Sequence, residues 1–425
     1  MCCRQYSVTC AFFFTIIDGI FVGNGVGTNA LGAVNIVFPF VMILDAVFAL
    51  ATIGGVTIFA IRTGRGDKAG ANEAFMHSLS TTAVLAVCLS AAGVFFTRPI
   101  ADLLGANDTF RQMTMDYLFW YSLFIVPSGV VTSLMGFCRN DGSPVRVSIA
   151  VIICTACNIF GDWFLIFPMG MGLKGAAIAT GVSQTLILFI LLPHYLGKKG
   201  DLRLISFKPK KELYAKIFVR GLPECISQLS SPVSVLCTNY VLLAMVGDIG
   251  VNAYSIIGYV ASFSVAIFYG TARGLQPLIG RSYGAKNEDE LKYYFRAGIL
   301  INFTGSVIIT ILLLFVGGSV CSLFGANEET LLFTVKCLPE YSWGFIIMSF
   351  NTIINAYLYS TKRSKQAIII NVLRSFVVNS AVIVLLPAVF GAGIIWFTFG
   401  IYETIVLAVA FSLLKASEKN GVVFK

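Results

Sequence analysis

Only a handful of side chains able to do chemistry fall inside the long apolar stretches of this chain: Asp18, Asp45, Asn158, Asp162, Thr180, Arg374 and Glu403. An ionisable group in hydrocarbon costs a few kcal/mol, so each charged one is a functional candidate from the outset. Asn158 and Asp162 are four residues apart and share one helical face. Counted from the outer end of each stretch at about 1.5 Å per residue, Asp162 lies about 9 Å in, Thr180 about 10 Å, Asp18 about 14 Å, and Asn158 and Asp45 about 15 Å. Five oxygen-bearing side chains at a shared depth suit a proton or Na⁺ site, because desolvated carboxylates hold a proton and oxygens replace an ion's hydration shell. For Na⁺, the expected metal ligands are Asp18, Asp162 and Asn158. The competing reading gives each acid its own structural hydrogen bond, and it weighs most for Asp45. Arg374 and Glu403, at similar depths on adjacent stretches, are expected to form a structural ion pair.

Nothing here points to an enzyme or to a bound cofactor. The only histidines, His77 and His194, lie near stretch ends with no nucleophile or metal-ligand set beside them. Cys154 and Cys157 have CxxC spacing but sit in an apolar helix without a second pair, so they read as packing residues. Gly23-Asn24-Gly25-Val26-Gly27 follows no strand, which argues against a nucleotide-binding turn.

The elements that must carry these residues follow from composition. The 425 residues are 57% hydrophobic and 12% charged, with a mean hydropathy of +0.84. Soluble chains run near 25% charged, so a water-soluble domain, a disulfide scaffold and a nucleic-acid binder are all poor readings. Stretches of membrane-spanning length fall at about 7–27, 35–60, 74–97, 113–137, 147–168, 173–195, 222–245, 253–279, 294–316, 333–357, 366–389 and 392–414. The chain is therefore expected to be an all-α polytopic membrane protein with twelve transmembrane helices.

Charge then orients them. Linkers after the even-numbered stretches carry Arg62, Arg65 and Lys68; Arg139 and Arg146; Lys198 to Arg220 with eight basic residues; Arg281, Lys286, Lys292 and Arg296; and Lys362, Arg363 and Lys365. The opposite linkers hold little beyond Arg98, Arg111, Lys174 and Lys336. The positive-inside rule puts both termini and every even linker in the cytosol, which accounts for the net charge of +9 without nucleic acid.

The polar run 197–221 divides six stretches from six, giving lobes at 1–196 and 222–425 on either side of a cytosolic linker. Leu104-Gly105-Ala106-Asn107-Asp108 recurs as Phe324-Gly325-Ala326-Asn327-Glu328, and Tyr121-Ser122 as Tyr341-Ser342, at an offset of about 220 residues. The halves thus read as two parallel six-helix repeats, the layout of an alternating-access transporter. The second repeat has no matching acids: Thr238 and Asn239 fall in the region of Asp18, and Asn379 and Ser380 in that of Asp162. Ion chemistry is accordingly expected in the first half.

A family resemblance joins these readings. Asp18-Gly19-Ile20-Phe21-Val22-Gly23, Ala30-Leu31-Gly32-Ala33-Val34-Asn35, Arg139-Asn140-Asp141-Gly142-Ser143-Pro144, Asn158-Ile159-Phe160-Gly161-Asp162, Gly170-Met171-Gly172-Leu173-Lys174-Gly175-Ala176-Ala177 and Gly274-Leu275-Gln276-Pro277 occur in the order of the MATE (multidrug and toxic compound extrusion) transporters. The chain resembles their DinF- and MepA-like bacterial branch over nearly its whole length. The resemblance implies a prokaryotic cell-membrane antiporter, monomeric, that exports organic cations or amphipathic drugs as H⁺ or Na⁺ enters. It matches the family's first-helix aspartate to Asp18, its fifth-helix Asn and Asp to Asn158 and Asp162, and a sixth-helix threonine to Thr180. Two positions depart from the pattern: Met135 stands where some members use an asparagine, and Ser231 where another branch uses a glutamate. The alternatives are a flippase for lipid-linked precursors, which would expect a strongly cationic cleft, and a non-transporting membrane sensor.

Overall fold

Helices follow the apolar stretches, and the recurring Gly-Ala-Asn motif shows how the chain punctuates them. Gly105 and Gly325 take left-handed φ values of 91° and 64°, and Asn107 and Asn327 then cap the next helix by accepting from Phe110 N and Thr330 N at 3.2 and 3.0 Å. The computed structural model describes residues 16–197, 202–361 and 363–419; the expected start of the first span at residue 7, and Lys198, Lys199 and Lys362, lie outside them.

All regular structure among the described residues is helical. The first unit contains α1 (Ile16–Val26), α2 (Thr28–Gly64), α3 (Lys68–Phe95), α4 (Thr97–Leu103), α5 (Asp108–Ser122), α6 (Ile125–Asn140), α7 (Pro144–Ile166) and α8 (Gly172–Leu196). α9 (Lys211–Met245) leads into α10 (Asp248–Gly284), α11 (Glu288–Ser322), α12 (Glu328–Ser360), α13 (Ser364–Val372), a π-helix (Leu373–Val378), α14 (Asn379–Phe390), a 3₁₀-helix (Ala392–Phe397) and α15 (Thr398–Lys419). Eight described spans are long and apolar enough to cross a membrane, and α5 with α6, bent by 55°, makes nine. The sequence places one stretch there, at 113–137, with Pro127 as a source of a kink; Pro127, in the first turn of α6, has no N–H to continue the helix across residues 123 and 124. The apolar helices α1 and Ser231–Met245 are shorter, and α12 is less apolar because Ser342, Ser349 and Asn351 are buried against protein. Together these make the twelve segments of a polytopic membrane fold.

Two compact units result, Met1–Pro232 and Val233–Lys425. Their cores are copies. The first packs Phe59, Ala71, Phe75, Leu134, Phe137, Cys138, Val147 and Ala150; the second packs Ile279, Leu291, Phe295, Ile354, Tyr357, Leu358, Ala367 and Ile370, each about 220 positions on. This pairing makes each unit an internal control for the other.

The first unit extends past the expected lobe end at residue 196 because the linker is folded onto it. The Lys210 backbone N–H donates to His77 Nε2 at 3.0 Å while His77 Nδ1 meets Glu73 O at 2.8 Å, which fixes the buried imidazole as the neutral Nδ1–H tautomer. Arg203 N donates to Asn72 Oδ1 at 2.6 Å, and Asp141 joins His194 Nε2 at 2.9 Å to Leu202 N at 3.3 Å. Both histidines are therefore clasps for the linker. Beyond it, Leu213 and Ile217 of α9 pack with Ile58 and Ala74. The closest approach of α9 to α2 is at two glycines: a Cβ on Gly221 would overlap the Leu50 carbonyl, and one on Gly54 the Ile217 carbonyl. Gly221→Ala is expected to lose about 2 kcal/mol or more, since backbone cannot yield as a side chain can. Gly64→Ala, where an added Cβ meets nothing within 4 Å, is the control. Thermal unfolding in detergent should separate the two, and equal melting temperatures would refute the crossing.

Candidate ion-coupling site

Small residues bring α7 against α8 in antiparallel register. A Cβ at Gly161 would lie 3.1 Å from that of Ala179, and one at Gly175 would touch Leu165. One turn away, Asn158 Nδ2 donates to Thr180 Oγ1 at 3.3 Å, both residues being buried. α1 packs on the C-terminal half of α7: Gly25 faces Ile166 and Phe167, and the Phe21 and Phe167 rings meet edge to face at 5.9 Å. Asp18 lies seven residues before Gly25 on that face. Its carboxyl meets that of the fully buried Asp162 in a side-chain hydrogen-bond contact.

Carboxylates only accept, so this contact is a hydrogen bond only when one of the pair carries a proton. Among the described residues no donor reaches Asp18 Oδ1, either Asp162 oxygen, or Asn158 Oδ1. Several buried oxygens on neighbouring side chains are thus left without an N–H or O–H from the described residues to satisfy them. Such a site accommodates one shared proton or one monovalent cation held by hard oxygen ligands. Asp18, Asn158, Asp162 and Thr180 are thus brought together. Asp45 is not: it stands exposed on α2, and the ionisable group that feels its charge is Tyr121 of α5.

The second unit repeats these positions without the acids. Thr238, Asn379, Ile383 and Phe399 line one cavity there, together with Ser234, Tyr254, Tyr341 and Tyr402. Thr238 stands about 220 positions after Asp18. The π-helix supplies one extra residue, so beyond it the offset becomes about 221 and Asn379 falls at Asn158, one turn from Asp162, in whose region the sequence places it. Ile383 then occupies the place of Asp162. In α15, Val406, Ala410 and Leu414 answer Ile187, Leu191 and Tyr195 of α8, which sets Phe399 opposite Thr180. Asn379 bonds to Ser234, a residue the sequence reading missed although it lies one turn before Thr238. Arg374 and Glu403 form the expected ion pair, with Arg374 Nε and Nη2 each 2.6 Å from Glu403 Oε1. Asn351 Nδ2 donates to Glu403 Oε2 at 2.7 Å, and Arg374 Nη1 reaches Tyr269 Oη at 3.2 Å. Both charged groups of the pair are thus engaged by protein partners.

Comparison with known proteins bears on this duplicated architecture directly. The family model described as MatE matches residues 6–164 and again 223–385. The chain belongs to the MatE family. The MatE chain is 25% identical over 394 residues to the multidrug export protein MepA of Staphylococcus haemolyticus, covering 90% of this chain and 85% of that protein. It is 26% identical over 383 residues to the FAD transporter of Shewanella oneidensis, covering 85% and 81%. Its fold matches a solved inward-facing multidrug resistance MATE family transporter of the MOP superfamily with a TM-score of 0.87 at 21% identity, covering 96% of each chain. The solved MATE multidrug transporter DinF-BH matches with a TM-score of 0.77 at 23% identity, covering 97% and 93%. The MatE fold of this chain is therefore the twelve-helix, twice-repeated membrane fold read from its sequence.

Proposed function

We propose that this MatE protein is a secondary antiporter that exports organic cations or amphipathic small molecules while H⁺ or Na⁺ enters through the Asp18–Asp162 pair. The observation that carries the reading is the buried carboxyl pair flanked by Asn158 and Thr180, in a unit whose copy has neutral groups at the same places. Asymmetry of this kind confines ion exchange to the first unit. The names of the MepA relatives support drug export as the direction of transport. A relative of similar identity is named an FAD transporter. Two features favour cations over a phosphate-bearing anion: the charged span residues singled out in the first unit, Asp18, Asp45 and Asp162, are all acids, and Arg374 is already taken by Glu403. The test is efflux of a fluorescent monovalent cation from vesicles under an imposed H⁺ or Na⁺ gradient; efflux that ignores both gradients would refute coupling.

We also propose the cell membrane as the location, in line with the MepA relatives, and a monomer as the acting unit; the basic even-numbered linkers support placing both termini and the linker in the cytosol. Lys210→Cys is expected to resist a membrane-impermeant maleimide in intact cells and to react after permeabilisation, with the unsubstituted protein as blank. Labelling of intact cells would reverse the topology.

A further inference from the structure

Of the four span acids singled out in the sequence, Asp18 faces Asp162 and Glu403 holds Arg374, which leaves Asp45. It sits near the middle of the 37-residue α2, whose only other ionisable residue is Arg62 in the last turn. No described residue gives Asp45 a hydrogen bond or an ion pair, and its side chain is exposed. An unpaired acid at mid-membrane depth is tolerated where water reaches it, not against lipid tails. The fold does not require an acid here, because the matching position of the second unit, about 220 residues on, is Val265. Phe38 and Ile53, exposed at 43% and 39%, lie seven residues before and eight after on the same helical face. Apolar surface, one carboxylate and apolar surface again follow each other along that face. Tyr117 and Tyr121 on α5, stacked with ring centroids 6.1 Å apart, are buried, so the accessible apolar surface is that of Phe38 and Ile53.

We infer that Asp45 is the anchor for the charged head of the transported molecule, an amphipathic organic cation whose apolar body lies along Phe38 or Ile53. This rests on the antiporter reading and assigns Asp45 to the cargo, not to the coupling ion. A single carboxylate with apolar flanks selects charge while leaving body shape unconstrained, which is what tolerance of many cations requires.

Equilibrium binding to the purified protein tests the assignment, with tetraphenylphosphonium as the cation and triphenylphosphine oxide as its neutral counterpart. Asp45→Asn should weaken tetraphenylphosphonium binding about tenfold or more, the loss of one charge contact, and leave the neutral ligand unmoved. Asp45→Glu should retain most of the cation affinity. Equal cation affinity in Asp45→Asn, an equal loss for both ligands, or no cation binding by the unsubstituted protein would overturn the assignment. Gradient-driven efflux is measured in parallel. Binding without driven efflux would sink the antiporter reading while leaving Asp45 as a cation site, whereas driven efflux with unchanged binding in Asp45→Asn would do the reverse.

Discussion

Asp18→Asn is expected to abolish drug resistance in a sensitised host at unchanged protein level. Asparagine has nearly the shape of aspartate, and its amide can donate to Asp162, which has no donor among the described residues. Packing of α1 on α7 through Phe21, Gly25 and Phe167 is untouched by the exchange. What is lost is the ability to change charge. A carboxyl pair can take up a proton or cation from one side and release it to the other, whereas an amide facing a carboxylate holds one state throughout the cycle. Melting temperature in detergent should stay within a degree or two of the unsubstituted protein or rise. Resistance equal to the unsubstituted protein would remove Asp18 from the mechanism.

The largest stability effect is expected in the second unit. Arg374→Leu leaves Glu403 fully buried with the Asn351 amide as its donor, and breaking a buried pair from one side costs about 3–5 kcal/mol. Arg374→Leu and Glu403→Leu should each lower the melting temperature sharply. The double substitution should recover much of the loss, because no charge is then stranded. The first unit's counterpart of Arg374 is Cys154, so the shared fold itself does without the pair. A double variant no better than either single would contradict this account.

Much of this was legible in the sequence, for physical reasons that also mark where reading stops. Span positions follow from hydropathy, and the duplication from Leu104–Asp108 and Phe324–Glu328, whose glycine turns and asparagine caps tolerate little change. Depth along a helix can be counted, which brought Asp18, Asn158, Asp162 and Thr180 together. Facing cannot be counted in a helix apolar on all sides, so Asp45 shared their depth but not their cluster. The π-helix leaves no mark in composition, and its one extra residue shifts the place of Asn379 by one, from Ile159 at a constant offset of about 220 to Asn158. The linker's attachment through His77 and His194 was hidden because backbone N–H groups at Leu202 and Lys210 supply the other half of it.

The central claim is that Asp18 and Asp162 couple transport to an ion gradient and do not merely permit it. Inside-out vesicles can separate the two, by comparing gradient-driven accumulation of tetraphenylphosphonium with its exchange at equilibrium. A gradient of one pH unit is worth about 1.4 kcal/mol, so one-for-one exchange concentrates the cation about tenfold. A Na⁺ gradient of about tenfold is equivalent. Under one of these gradients the unsubstituted protein should accumulate the cation, while Asp18→Asn and Asp162→Asn should do no more than equilibrate it. Accumulation by either variant to the level of the unsubstituted protein would contradict the account.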